Sequence, residues 1–143
     1  MEKQEKSTEF LQAELKKAET PEAFFTENAQ DLNEKSVTDF LVEMLIKYDK
    51  EKSEVLTGAG LTGTYAYQIF DGRRTAGREK LIQLAFGFPL TLEETQRLLK
   101  CGGYRELYVK NKREAYIMYA LEKKCDINQL NELLFGCGEK TFE

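Results

Sequence analysis

KSEVLTGAGLTGTYAYQIFDGRR, residues 52–74, can be read in two incompatible ways. GAGLTG (Gly58, Gly60, Gly63) fits G-x-G-x-x-G, the dinucleotide-binding fingerprint. That fingerprint works only between a buried strand and the helix opening on it, inside a βαβ unit. The residues before it are Asp49, Lys50, Glu51, Lys52, Ser53 and Glu54, which leaves Val55 and Leu56 as the only strand core. No other segment supplies a parallel strand, so the nucleotide reading lacks its scaffold. The second reading is a short helix over 53–57, a tight turn over 58–61, and a helix capped by Thr62 that runs to about Phe70. Ala66, Ile69 and Phe70 recur at helical spacing, with Tyr65 one turn before Ile69, and this face is expected to turn inward. Gly63, Thr64, Tyr67, Gln68 and Asp71 fall on the other face. Asp71-Gly72 stops the helix, since glycine tolerates the left-handed conformation common at helix ends. Arg73 and Arg74 follow at once. An amide on a polar helix face, with two arginines at its end, suits a major-groove reader.

Residues 52–74, continued by the apolar run 81–88, resemble the λ-repressor-like (Cro-type, XRE) helix-turn-helix DNA-binding family. Gly60 matches the turn glycine, Ile69 the apolar anchor of the recognition helix, and Asp71-Gly72-Arg73 the acidic or amide residue, glycine and basic residue after it. The match covers about residues 36–99. The resemblance implies sequence-specific binding of double-stranded DNA, most simply in transcription regulation. It places Lys52 at a phosphate-contacting position and Gly63, Thr64 and Gln68 at base-facing positions. Thr62, Arg73 and Arg74 join Lys52 as phosphate contacts, which fix register without carrying sequence information. Tyr67 joins the base-facing set, and Gln68 is its best single reader because an amide can bond both N6 and N7 of adenine. A different class of function uses the same scaffold as a protein–protein interaction module or adaptor, with Tyr65, Tyr67 and Phe70 as aromatic anchors.

Around this centre the chain reads as all-α, with about seven or eight helices and no alternating segment. Residues 1–35 form an acidic N-terminal helical arm, in which Phe10, Leu11, Leu15 and Ala18 make an apolar stripe over 8–19. Thr20-Pro21-Glu22 is a helix start, with Phe24, Phe25 and Leu32 as anchors after it. Residues 36–107 form the helix-turn-helix domain, whose first helix is capped by Ser36 and buries Phe40, Leu41, Met44, Leu45 and Tyr48. Residues 108–143 form a C-terminal hairpin that repeats 78–107 at a spacing of 35 without gaps. Arg-Glu opens both copies, and Ile82/Ile117, Ala85/Ala120, Leu98/Leu133, Leu99/Leu134 and Gly103/Gly138 coincide. Each copy is expected to be a helix, a short break and a second helix. Thr91 with Glu94, and Asp126 with Gln129, sit as capping boxes at the start of the second helices. The second copy has no turn-helix pair before it, so a supporting or dimerising role is expected.

The 143 residues are 41% hydrophobic with two prolines, a globular composition, and carry a formal charge of −4. Residues 1–35 hold nine acidic and five basic residues, whereas 51–80 hold four acidic and five basic ones. The acidity therefore lies away from the expected reading surface, which keeps a thin basic edge of Lys52, Arg73, Arg74, Arg78 and Lys80. No apolar run of about 18 residues exists and Met1–Lys6 is charged, so neither a membrane span nor a signal peptide is expected and a cytoplasmic location is the default. The three cysteines are odd in number, scattered and without any histidine, which points to reduced thiols rather than a metal or disulfide framework. With no histidine the easiest general base is missing, so neither catalysis nor a cofactor is expected. Two half-sites read by two such domains make a homodimer the expected assembly.

One departure from the family gives a test. The family usually has a small residue where this chain has Leu56 and a branched apolar one where it has Ala66. Large-for-small and small-for-large cancel in volume if the two positions touch across the helix pair. Leu56→Ala should then cost about 2–5 kcal/mol, and Ala66→Ile in that background should recover part of it. Strictly additive unfolding free energies would contradict the contact.

Overall fold

A computed structural model describes residues 8–17 and 35–143. The chain divides into two compact units, Met1–Glu34 and Lys35–Glu143. The described part of the first is one helix, α1 (Thr8–Lys17), on which Leu15 is exposed. The helix start at Thr20-Pro21, the anchors Phe24, Phe25 and Leu32, Ala18, and the side chains of Phe10 and Leu11 lie outside the described residues. The second unit holds seven helices: α2 (Val37–Tyr48), α3 (Lys52–Gly58), α4 (Thr64–Phe70), α5 (Arg78–Gly87), α6 (Leu92–Cys101), α7 (Lys112–Glu122) and α8 (Ile127–Gly136). Among the described residues every regular element is helical. No described helix is long and apolar enough to cross a membrane.

The helix starts follow from capping chemistry. Ser36 Oγ accepts from the Asp39 N–H at 3.0 Å, satisfying one of the amides that a helix start leaves without a partner. Thr91 and Glu94 exchange side-chain and backbone bonds at 3.1 and 3.0 Å, and Asp126 and Gln129 do the same at 2.8 Å each. The second helices of both hairpins end where expected, with Gly103 and Gly138 each at φ 78° in the left-handed region.

α5 is the hub. All of Leu81, Ile82, Gln83, Leu84, Ala85, Phe86 and Gly87 are buried, because α3, α6 and α8 pack around it. α2 lies on α4 and α6, and α7 bridges α6 and α8. Apolar side chains from α2 through α8 merge into a single core, in which Phe70, Phe88, Leu41 and Ile69 are among the largest fully buried groups.

The 35-residue repeat reappears in hydrogen bonds. Gln96 accepts from the Leu107 N–H at 2.7 Å and donates to its carbonyl at 3.0 Å. Asn131, 35 positions on, does the same to Phe142 at 2.7 and 2.9 Å. Arg78 Nε donates to the Arg105 carbonyl at 3.1 Å, and Arg113 Nε to the Lys140 carbonyl at 2.8 Å. The guanidinium groups then exchange partners between copies. Arg78 grips Glu114 through both Nη atoms at 3.0 and 3.2 Å, while Arg113 grips Glu79 at 3.0 and 2.7 Å. Such two-point forks are the strong form of arginine–carboxylate pairing.

Glu114 is the most loaded of these groups. It is buried and also accepts from Arg105 at 2.9 and 2.7 Å and from the Tyr108 N–H at 2.8 Å. Burial alone pushes its carboxyl up, but the hydrogen bonds from Arg105, Arg78 and Tyr108 outweigh it and hold it down at about 2. A depressed carboxyl contributes stability above its ordinary range near 4.3, and that contribution is lost as pH falls toward 2. Denaturant melts should therefore show stability falling between about pH 5 and pH 2. Glu114→Gln should cost about 1–3 kcal/mol at pH 7 and flatten that acid slope. An unchanged slope in the variant would contradict the assignment.

Candidate nucleic-acid interface

α3 and α4 are short, and their placement comes from what they bury. Val55 and Leu56 on α3 and Ala66, Ile69 and Phe70 on α4 are all buried. Between them Ala59 N–H bonds to the Val55 carbonyl at 2.9 Å, Gly60 N–H to Thr57 at 3.1 Å and Leu61 N–H to Leu56 at 2.9 Å. Gly60 sits at φ 73°, the left-handed region a tight turn demands, and Ala59 and Leu61 close the turn by inserting into the core.

The start of α4 differs from the sequence expectation. Thr62 is exposed and does not cap; the residue at the N-cap is Gly63, with φ 88° and ψ 172° and no side-chain cap bond. That backbone conformation is essentially closed to side chains with a Cβ, so glycine sets where the helix begins and displaces the start to Thr64. A second expectation also fails. Tyr65 is 38% exposed rather than inward, and its ring lies under the Arg74 guanidinium at 5.2 Å.

The outward face of α4 carries Thr64 and Tyr67, both exposed, and Gln68, half-buried, with Gly63 and Thr62 at its leading edge. At the far end Gly72, at φ 75°, turns the chain back so that the Arg73 and Arg74 N–H groups both donate to the Gln68 carbonyl, at 3.0 and 3.3 Å. A Cβ on Gly72 would come 3.0 Å from Thr38 Oγ1, so α2 also presses on this turn. The backbone of both arginines is thereby held at the end of α4, and the Arg74 side chain lies beside Gln68.

The charged groups of the basic edge divide by partner. Lys52 Nζ pairs with Asp71 Oδ1 at 3.1 Å, both about two-fifths exposed, a geometry that solvent weakens. Arg74 Nε donates to Gln68 Oε1 at 2.9 Å. The Arg73 side chain is exposed and makes no hydrogen bond or ion pair among the described residues. Arg78, expected on this edge, is instead committed to Glu114 and to the carbonyls of Arg105 and Glu106. Lys80 approaches Gln83 at 3.4 Å. Of the expected edge only Arg78 is lost; Arg73 and Arg74 are exposed, and Lys52 and Lys80 are half-buried. The 19-residue separation of Lys52 and Asp71 gives no local signal of their pairing. That of Arg74 with Gln68 and Tyr65 is hidden by the reversal at Gly72.

Elsewhere the polar clusters are structural. Glu94 takes hydrogen bonds from Lys47 and Tyr48 while capping α6. Burial pushes its carboxyl up, but Lys47, the Thr91 amide and Tyr48 together hold it at about 2. Burial, and then the Glu94 carboxylate, push the Tyr48 hydroxyl up to about 12. Burial also pushes the Cys101 thiol up, the opposite of what activates a nucleophile.

No family model, curated protein or solved structure matches the chain. A test specific to the interface lies at Gly63. A Cβ there would meet nothing within 4 Å, so any cost of Gly63→Ala is a backbone cost. Thermal or denaturant melts should show a loss of about 1–3 kcal/mol despite the open space. Unchanged stability would mean that α4 starts without the left-handed residue.

Proposed function

We propose that the chain binds double-stranded DNA in a sequence-specific manner, laying α4 in the major groove, and acts in transcription regulation. The observation that carries the reading is the division of α4. Ala66, Ile69 and Phe70 anchor it to the core while Thr64, Tyr67 and Gln68 face outward, with exposed Arg73 and Arg74 just past its end. A helix held this way fits the major groove, which is about 12 Å wide and distinguishes all four base pairs. The resemblance of residues 52–74 to the λ-repressor-like family supports the same reading. Lys52, Thr62, Arg73 and Arg74 hold phosphates, and Thr64, Tyr67 and Gln68 meet base edges while Gly63 lets the backbone approach. Charge does not oppose it, since residues 35–143 hold 17 basic and 16 acidic residues and the acidic excess lies before them.

A second reading, a scaffold that binds protein, loses Phe70 as an anchor because it is fully buried beside the exposed Tyr65 and Tyr67, and is favoured by a different surface. An apolar groove of about 410 Å³ between α7 and α8 is lined by Ala115, Tyr116, Tyr119 and Leu133, and on another face of α8 Phe135 is 81% exposed. In the first hairpin, where α3 packs on α5 and α2 on α6, the residues 35 positions earlier than Tyr116, Tyr119 and Leu133 are Leu81, Leu84 and Leu98. All three are fully buried. We assign the open face of the second hairpin to another copy of the chain, because a homodimer supplies the two reading helices that two half-sites require.

Two measurements test these assignments. Gln68→Ala should lose about 1–3 kcal/mol on the preferred site and relax discrimination at one base pair. Arg73→Ala should weaken preferred and random DNA alike and flatten the salt slope by about one unit. A parent protein without salt-dependent DNA binding would defeat the reading. In sedimentation, the parent should be a dimer at micromolar concentration, and Tyr119→Glu with Leu133→Glu a monomer with an unchanged melt. A monomeric parent, free and DNA-bound, would remove the dimer.

A further inference from the structure

We infer that Arg74 is a positioning residue that sets base preference through Gln68, a role distinct from that of its neighbour Arg73. The inference rests on the DNA-binding reading above and deepens it. Three contacts converge on Arg74. Its backbone N–H donates to the Gln68 carbonyl at 3.3 Å, its Nε donates to Gln68 Oε1 at 2.9 Å, and its guanidinium lies 5.2 Å from the Tyr65 ring centroid. The Arg73 N–H makes the same backbone bond at 3.0 Å, but among the described residues its side chain touches neither Gln68 nor Tyr65, so the two side-chain contacts set Arg74 apart.

The chemistry fixes the direction of the amide. A guanidinium has five donors and no acceptor, so only the oxygen of Gln68 can face Nε. An unrestrained glutamine can present its oxygen or its nitrogen to a base edge by rotating the terminal torsion, which is broad and nearly two-fold. Held at Oε1, Gln68 keeps Nε2 on the side away from Arg74, and one flip state is selected before DNA arrives. Tyr65 provides a flat seat that keeps the guanidinium plane in place. The exposure of Tyr65, unexplained by the helical stripe, suits this seat. Arg74 keeps its Nη groups for the DNA backbone while its Nε holds the reader.

The test compares Arg74→Ala, Arg74→Lys and Gln68→Ala on the preferred duplex and on a duplex changed only at the base pair whose preference Gln68→Ala relaxes. Lysine keeps the charge but lacks the planar Nε donor. Both Arg74 variants should lose discrimination at that base pair severalfold, and Arg74→Lys should do so with the salt slope of the parent. In a Gln68→Ala background neither should change the preference further. If Arg74→Ala weakens both duplexes equally and Arg74→Lys discriminates like the parent, Arg74 is only a phosphate contact and the inference is overturned while the DNA reading stands. If the parent itself shows no salt-dependent DNA binding, the reading falls and takes the inference with it.

Discussion

A Cβ on Gly87 would lie 2.2 Å from the Val55 carbonyl oxygen, a distance no side chain can occupy. α3 therefore crosses α5 backbone against backbone, and Gly58 meets Gly87 from the other side with a Cβ position 3.2 Å from its Cα. The presentation of α4 depends on this crossing, because α3 and the five-residue connection carry α4 with them. Gln83 secures the connection from below. It is buried on α5, and its Nε2 donates to the Ala59 carbonyl at 3.2 Å and to the Glu143 carbonyl at 2.8 Å. One amide thus satisfies a turn carbonyl that would otherwise be buried without a partner and ties it to the residues after the second hairpin.

The second hairpin is held by charge as well as by apolar contact. Two arginines that close their own loops through Nε and reach across to the other copy's glutamate through Nη make the two hairpins mutually dependent. Removing one partner of such a pair leaves the other charge partly buried, which costs more than the intact pair contributes. The hairpin next to the turn is thereby braced by one whose own groove stays open. The same 35-residue pattern yields opposite surfaces because the first copy receives α2 and α3 and the second copy, among the described residues, receives no equivalent.

Much of this architecture is legible in the residues. Ser36, Thr91 with Glu94 and Asp126 with Gln129 announce helix starts because capping is a contact between residues three apart. Arg-Glu at 78–79 and 113–114 announces the repeat, but the exchange of partners between copies involves positions 34 and 36 apart and no local rule carries it. The same limit applies at the interface. The inward stripe of Ala66, Ile69 and Phe70 follows from helical spacing, whereas Tyr65 lies exposed against an arginine nine residues later. Thr62 has the chemistry of a cap, yet the backbone angle at Gly63 overrides it. Arg78 reads as part of a basic edge until Glu114, far along the chain, claims it. Capping pairs one helical turn apart survive; signals that an adjacent glycine's backbone or a distant partner overrides do not.

Double-stranded DNA is proposed to meet this protein on the outward face of α4. Amide chemical-shift mapping of the labelled full chain, titrated with a duplex selected from a random pool, tests it most directly. The largest shifts should fall on Lys52, residues 62–68 and Arg73–Arg74, and they should diminish as salt is raised. Shifts confined to Tyr116, Tyr119, Leu133 and Phe135, or no shifts at any salt concentration, would contradict it.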